Sequence, residues 1–393
     1  DKDGDNDLLV GTGGNEKNDE RLYLNRLYLN DGKGNFTRST NSLPSVNTNV
    51  SVVVPCDYDN DGDNDVFIGS RSIPGIYGLS PKHLLLENDG KGKFTNVTDR
   101  IAIELKEYGM ITDAKWEDMD QDGKKELIVV GDWTAPLILK NSGRQFTEYE
   151  TNLSDEFGFW NAVACVDVNK DGKKDLIIGN SGRNTSYKCS KEAPMKLFVN
   201  DFDNNGTIEQ ITTRMIDERD MPIHLKGELA KQIPSIKKEN LSYADYSKKA
   251  IQEIFDETVL DKAQVKTATN QHSIVAINKG NGQFEIRVLP KEVQFSSLNA
   301  ICAMDVNKDG NLDLLLGGNQ MVFKPQFGSL DASKGVLLLG SKSGTFTYVS
   351  NQQSGIYLSG AIKSIQPLTN KGKKVGFIAV ANGKAPKIFK KND

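Results

Sequence analysis

Histidine is scarce in this chain. His83, His224 and His272 are the only three in 393 residues, none lies in an HExxH, and no GxSxG or Walker pattern occurs. The common signatures of zinc peptidases, serine hydrolases and phosphate-binding loops are therefore missing. No run approaches the roughly 18 apolar residues of a membrane-spanning helix. Basic residues do not gather into a stripe, which leaves nucleic-acid binding without support. The four cysteines do not form a disulfide framework: Cys56, Cys165 and Cys302 each precede a separate acidic loop by one to three residues, and Cys189 has no evident partner. Buried free thiols are the expectation. The chain opens on Asp1, inside an acidic loop and without Met or a signal peptide, and reads as a piece of something longer.

What the chain does have is acid at alternate positions on tight loops. In Asp57-Tyr-Asp-Asn-Asp-Gly-Asp-Asn-Asp65, carboxylates alternate around Gly62, and the apolar run Val66-Phe67-Ile68 follows at once. The pattern recurs with glycine always sixth. Asp118, Asp120, Asp122 and Glu126 surround Gly123; Asp167, Asn169, Asp171 and Asp175 surround Gly172; Asp201, Asp203, Asn205 and Glu209 surround Gly206; Asp305, Asn307, Asp309 and Asp313 surround Gly310. Asp1, Asp3, Asp5 and Asp7 make a clipped copy. Alternate oxygens on a tight loop suit Ca²⁺, a hard cation with about six to eight oxygen ligands. Carboxylates this close repel one another unless a cation compensates. An EF-hand is excluded, because position 12 is Ile68, Val129, Ile178, Thr212 or Leu316 instead of glutamate, and the flanks are β-like.

A second motif alternates with the loops. Leu27-Tyr-Leu-Asn-Asp-Gly-Lys-Gly-Asn-Phe36 returns as 84–94, and more loosely as 137–146, 275–284 and 337–346. Asn-Asp-Gly between apolar runs is a hairpin signal. One unit is then strand, acidic loop, strand, longer connection, strand, glycine turn, strand: the four antiparallel strands of a propeller blade. Residues 215–266 break the pattern. Ser242 is a plausible N-cap with Asp245 at the third helical place, and Tyr246, Ala250, Ile254 and Phe255 follow at helical spacing, so a helical insertion folded onto one side of the ring is expected.

With these motifs the sequence resembles the FG-GAP (VCBS-type) repeat family, whose blades also occur in integrin α-subunits, over most of its length outside 215–266. More narrowly, Asn200–Gly206, Lys231–Lys237 with Leu241–Tyr243, and Lys324–Gly328 resemble the C-terminal propeller of large surface proteins common in Bacteroidetes. The resemblance implies an all-β, calcium-binding β-propeller of four-stranded antiparallel blades occupying residues 1–393 as a single domain. It further implies side-chain ligands at places one, three, five and nine of each loop, and a main-chain carbonyl at place seven: Asp63, Lys124, Lys173, Thr207 and Asn311. About five Ca²⁺ sites are expected, six with the clipped loop, all structural. If the loop at Asp201 opens a blade of its own, completed by the hairpin near 272–288, the ring has seven blades; if it is an outer hairpin of the preceding blade, six. Seven is the favoured count.

His83 and His272 are expected to be structural, with His224 at the insertion's border the one to watch; Trp116, Trp133 and Trp160 are expected to pack. The connections opposite the acidic loops are long, and long loops on a rigid scaffold carry recognition. Arg71, Tyr77, Arg183, Tyr187, Phe323 and Phe327 are the candidate recognition residues there. The reading is a non-enzymatic propeller at a bacterial cell surface, outer membrane or periplasm, beside the rest of its parent chain, binding a protein or glycan. The alternative is a calcium-dependent enzyme acting on polysaccharide, which would need a polar cleft holding a perturbed base.

Overall fold

The β-branched and apolar runs on either side of each acidic loop pair as antiparallel strands. In the computed structural model, which describes every residue except 15, 16, 18, 186, 322–328, 371–372 and 391–393, the second sheet runs Asn49–Cys56, Asp65–Ser72, Leu84–Asn88, Phe94–Asn96 in spatial order. The third (Met110–Glu117, Glu126–Thr134, Leu137–Asn141, Phe146–Glu148) and fifth (Leu298–Met304, Asp313–Gly318, Val336–Gly340, Phe346–Val349) repeat it, the third with a short extra strand, Gly158–Phe159, paired along the far end of Glu126–Thr134. The first sheet has three strands, Leu8–Val10, Arg26–Asn30 and Phe36–Ser39; so has the sixth, Ile362–Asn370, Lys373–Ala381 and Lys387–Lys390. The protein is all-β, and the succession of like sheets is consistent with a propeller.

Successive sheets bury their faces against each other. Phe67 and Leu85 of the second sheet meet Ile111, Leu127 and Leu139 of the third in one core cluster, and Ile128 and Ile138 of the third meet Leu176 and Ile178 of the fourth in the next. Leu314 and Leu338 continue the series into the fifth sheet, and Ile362 and Phe377 into the sixth. The innermost strands then line a central channel of about 910 Å³.

The fourth sheet departs from expectation. Its strands are Ala162–Val166, Asp175–Gly179, Ile274–Gly280 and Gln283–Val288. The hairpin near 272–288 thus completes the sheet opened by the Asp167 loop, with Leu176 opposite Ala276, and does not close a blade begun at Asp201. The Asp201 loop instead joins Met195–Asn200 to Glu209–Ile216 in a separate sheet, flanked by Arg219–Pro222 and Gln264–Ala268, that arises inside the second-to-third-strand connection of the fourth. Neither the seven-blade nor the six-blade assignment of that loop survives. The physical reason is alternation of faces: Met195, Leu197 and Val199 lie against Met110 and Trp133 on the main body, while Phe198, Phe202 and Ile211 face the other way into a helical layer. A sheet covered on both sides needs no place in the ring.

That layer is narrower than 215–266. Strands take 215–216, 219–222 and 264–266; the helices are short, Lys226–Gln232, Ser235–Glu239, Tyr243–Tyr246 and Glu257–Leu260, and supply Leu229, Ile233, Ile236 and Tyr246 to the shared core. Ser242 caps the third of them, its Oγ accepting from the Asp245 N–H at 3.0 Å.

Candidate functional site

The five full acidic loops share one backbone. Their fourth residues, Asn60, Gln121, Lys170, Asn204 and Lys308, have φ of +59° to +65°, and the sixth-place glycines +85° to +89°. Those left-handed angles are why glycine recurs at the sixth place. The first-place carboxylate accepts the N–H of the sixth residue in every loop, at 2.7–3.0 Å. The clipped copy joins the same register: Lys2 (φ +67°) and Gly4 (φ +100°) stand fourth and sixth, so Asp1, Asp3, Asp5 and Asp7 hold the third, fifth, seventh and ninth places.

Carboxylate oxygens converge within 4.8 Å of one another in Asp57–Asp59–Asp61, in Asp118–Asp120–Asp122 and in Asp201–Asp203–Glu209. Asp118 Oδ1 and Asp203 Oδ1 are buried without a hydrogen-bond donor, as are Asp5 Oδ1, Asp63 Oδ1 and Asn311 Oδ1 at seventh places. Donor-starved carboxylate oxygens such as those of Asp118 and Asp203, each within a converging triad, fit a hard divalent cation. The third and fifth places of the Asp167 and Asp305 loops are an Asn–Asp pair in each, an oxygen set of the same type. Side chains bring partial compensation: Lys140 pairs with Asp120 and lies 3.8 Å from Asp122, and Lys2 reaches Asp63 at 3.5 Å.

The ninth-place acids do something the spacing could not reveal. Asp65, Glu126, Asp175, Glu209 and Asp313 are all buried, and each accepts the N–H of the loop's second residue at 2.8–3.4 Å. In four of them the other oxygen accepts from the end of the sheet's third strand: Asn88, Asn141, Asn278 or Gly340. They tie loop to hairpin. Burial, with loop carboxylates adding to it, pushes the Asp65 and Glu126 acids up to about 7. Asn141 Nδ2 also donates to Tyr58 O of the preceding sheet's loop, and Asn278 Nδ2 to Met119 O, linking neighbours in series.

Where the inserted sheet overlies the main body, a cleft of about 310 Å³ opens. Three of the six candidate recognition residues meet there: Arg71, Tyr77 and Tyr187. Arg71 clamps buried Asp132 with two nitrogens, at 2.9 and 2.8 Å; Tyr77 OH donates to the same oxygen at 3.2 Å, and Trp133 Nε1 donates to Tyr77 OH at 3.1 Å. Burial, then the Asp132 charge, drives the Tyr77 phenol upward, so it stays a neutral donor. Trp133, edge-on to Phe159 at 4.7 Å, takes φ +60° where the strand bulges between Gly158 and Phe159, a costly angle for an aromatic residue. The sequence offered no signal for Asp132 or Phe159, and Trp133 stood out only as an expected packing residue; only the fold brings them to Arg71.

Arg183 stands apart from the cleft lining, its guanidinium 3.3 Å from His272 Nε2. Phe323 and Phe327 lie outside the described residues. His83 is fully structural, Nδ1 accepting from Ser70 N–H at 3.1 Å and Nε2 facing Gly109 O at 2.9 Å. His224 borders the cleft, with Nε2 taken by the Thr212 N–H at 3.1 Å. Trp116 and Trp160 pack, Trp116 donating across to Val54 O at 3.2 Å. All four cysteines are free.

Together these features define an all-β repeat protein with acidic loops on one face and a roofed cleft on the other. The FG-GAP-like repeat family matches residues 1–68 and 118–178. No curated protein sequence matches this chain. Among solved structures, an Agrocybe aegerita lectin, described for specific recognition of non-reducing terminal N-acetylglucosamine, is similar at 14% identity and TM-score 0.30, covering 82% of this chain and 73% of that one. The V. cholerae biofilm matrix protein Bap1 is similar at 8% identity and TM-score 0.31, covering 91% and 70%.

Proposed function

We propose that this protein is a non-enzymatic, calcium-stabilised extracellular propeller that binds a protein or glycan partner through the face bearing the inserted sheet. The observation that carries the binding reading is convergence. Arg71 and Tyr77, from the end of the second sheet's second strand and the connection after it, and Tyr187, from the excursion out of the fourth sheet, line one cleft with Trp133 and Phe159, and a concave, largely apolar site with a few convergent polar groups is where ligands bind. Asp132, the carboxylate at its centre, is committed to Arg71 and Tyr77, which argues for recognition over proton transfer. Calcium at the acidic loops is supported by the donor-starved oxygens, and loops of this kind suit an extracellular setting, where affinities of about 10⁻⁴–10⁻³ M suffice.

The calcium half is tested by counting bound ions and melting the chain with calcium and with excess EDTA. Several ions per chain and a large fall in Tm are expected, since each site adds about 2.7 kcal/mol at a hundredfold excess over its Kd; an unchanged Tm refutes it. The binding half is tested on a glycan array and with purified surface proteins, where Tyr187→Ala should abolish every signal the native chain gives.

A further inference from the structure

Beside the aromatic cleft, and sharing Arg71 with it, a second cavity of about 360 Å³ opens at the mouth of the central channel. Its cations come from distant parts of the chain: Arg71 from the second sheet, Lys363 from the inner strand of the sixth, and Lys384 from the sixth sheet's last turn. No carboxylate lines it among the described residues. Of the acids in the adjoining cavities, Asp132 of the cleft is held by Arg71, and Asp113 of the channel pairs with Lys115 at 2.9 Å. Lys363 is exposed and makes no ion pair or hydrogen bond among the described residues, and the desolvation it does undergo, then the Arg71 guanidinium, lower its pKa. Asp132 already meets the charge of Arg71, so the uncompensated positive charge beside it is that of Lys363, which an anionic ligand would neutralise.

The rest of the lining suits hydroxyl groups. The side-chain amides of Gln320 and Asn382 are exposed and uncommitted among the described residues, and Asn161 spends only its Nδ2, on Phe159 O at 3.1 Å. Each open amide can donate and accept, as a polyhydroxylated ring requires. Half-buried Tyr77, Phe159 and Tyr187 stand next door to take an apolar ring face.

We propose that the paired cavities form one site for an acidic oligosaccharide, the carboxylate of a uronic acid seated between Arg71 and Lys363, its hydroxyls on the Asn161, Gln320 and Asn382 amides, and an adjoining sugar in the aromatic cleft. This rests on the binding reading above and names its ligand class. The amide-rich lining and ring-sized aromatic cleft favour a saccharide over an acidic peptide.

The calcium-loaded full chain is titrated calorimetrically with a hyaluronan tetrasaccharide, with neutral chitotetraose and with tetraglutamate. Hyaluronan should bind, at least tenfold more tightly than chitotetraose, and more weakly as salt rises. Lys363→Ala should cost about tenfold, the scale of one charge-assisted hydrogen bond; Lys363→Arg should restore affinity, and both should melt like the native chain. Equal binding of the two tetrasaccharides, or an unaffected Lys363→Glu variant, overturns the proposal. Tetraglutamate binding as tightly, with the same dependence on Lys363, overturns it in favour of an acidic peptide. If neither tetrasaccharide binds while another ligand does so in a Tyr187-dependent manner, the acidic-saccharide assignment falls and the binding function stands.

Discussion

Two hydrogen bonds dictate the protonation of His83. Ser70 donates to Nδ1 and Gly109 O accepts from Nε2, so the folded protein holds the neutral Nε2–H tautomer, and burial lowers its pKa from 6.5 to about 4. A proton therefore favours the unfolded chain between those values: stability is retained above pH 6.5 and declines as pH falls towards 4, by at most about 1.4 kcal/mol per pH unit. At saturating calcium, the denaturation midpoint of the native chain should fall more steeply over that window than that of His83→Gln, which should be less stable at pH 7. Parallel profiles would remove His83 as the cause. A histidine ahead of an apolar strand was readable as structural from sequence. Its two partners lie 13 and 26 positions away in the chain, and nothing local announces them.

At the scale of elements, the acidic loops were the most legible part of the chain, because a left-handed sixth residue and alternate oxygens leave few residue choices. The tie that the ninth acid makes between loop and third strand was not legible, since a carboxylate can accept N–H groups from both sides without any change in spacing. The asparagine that ends the third strand depends on this arrangement. Asn278 is buried, donates to Met119 O and Lys174 O at 3.1 Å each, and accepts from Gly280 N–H at 2.8 Å. Asn278→Ala strands those groups and should cost about 1–3 kcal/mol, with Asn141→Ala alike, both read as a lowered denaturant midpoint at unchanged slope. The fifth sheet has Gly340 instead, where a Cβ would lie 2.0 Å from Leu312 O, so Gly340→Asn should destabilise where asparagine stabilises elsewhere.

For the molecule as a whole, hairpin spacing disclosed the sheet type but not the sheet membership. The hairpin at 274–288 looks the same whether it completes the sheet of the Asp167 loop or one begun at Asp201, because apolar alternation specifies which face is buried and not against which neighbour. The inserted sheet hid for the same reason: Met195–Asn200 holds a continuous apolar run like the buried strands of the other sheets, and only its two different coverings distinguish it. The cleft could be read only in fragments, as long connections with aromatic and basic residues, since its floor is built from a bulged strand of the third sheet.

The excursion of residues 180–273 from the middle of the fourth sheet also sets an order in time. Gly179 and Ile274 end and begin strands that must lie side by side, yet everything between them has to be gathered first or left outside as a long unpaired loop. Pairing across such sequence separation is slow, so the fourth sheet should be the last part of the molecule to close, leaving the exposed edge of Asp175–Gly179 open to wrong partners meanwhile. Replacing 180–273 with a short turn should speed refolding in stopped-flow measurements and reduce aggregation on dilution from denaturant, at the cost of the roof over the cleft.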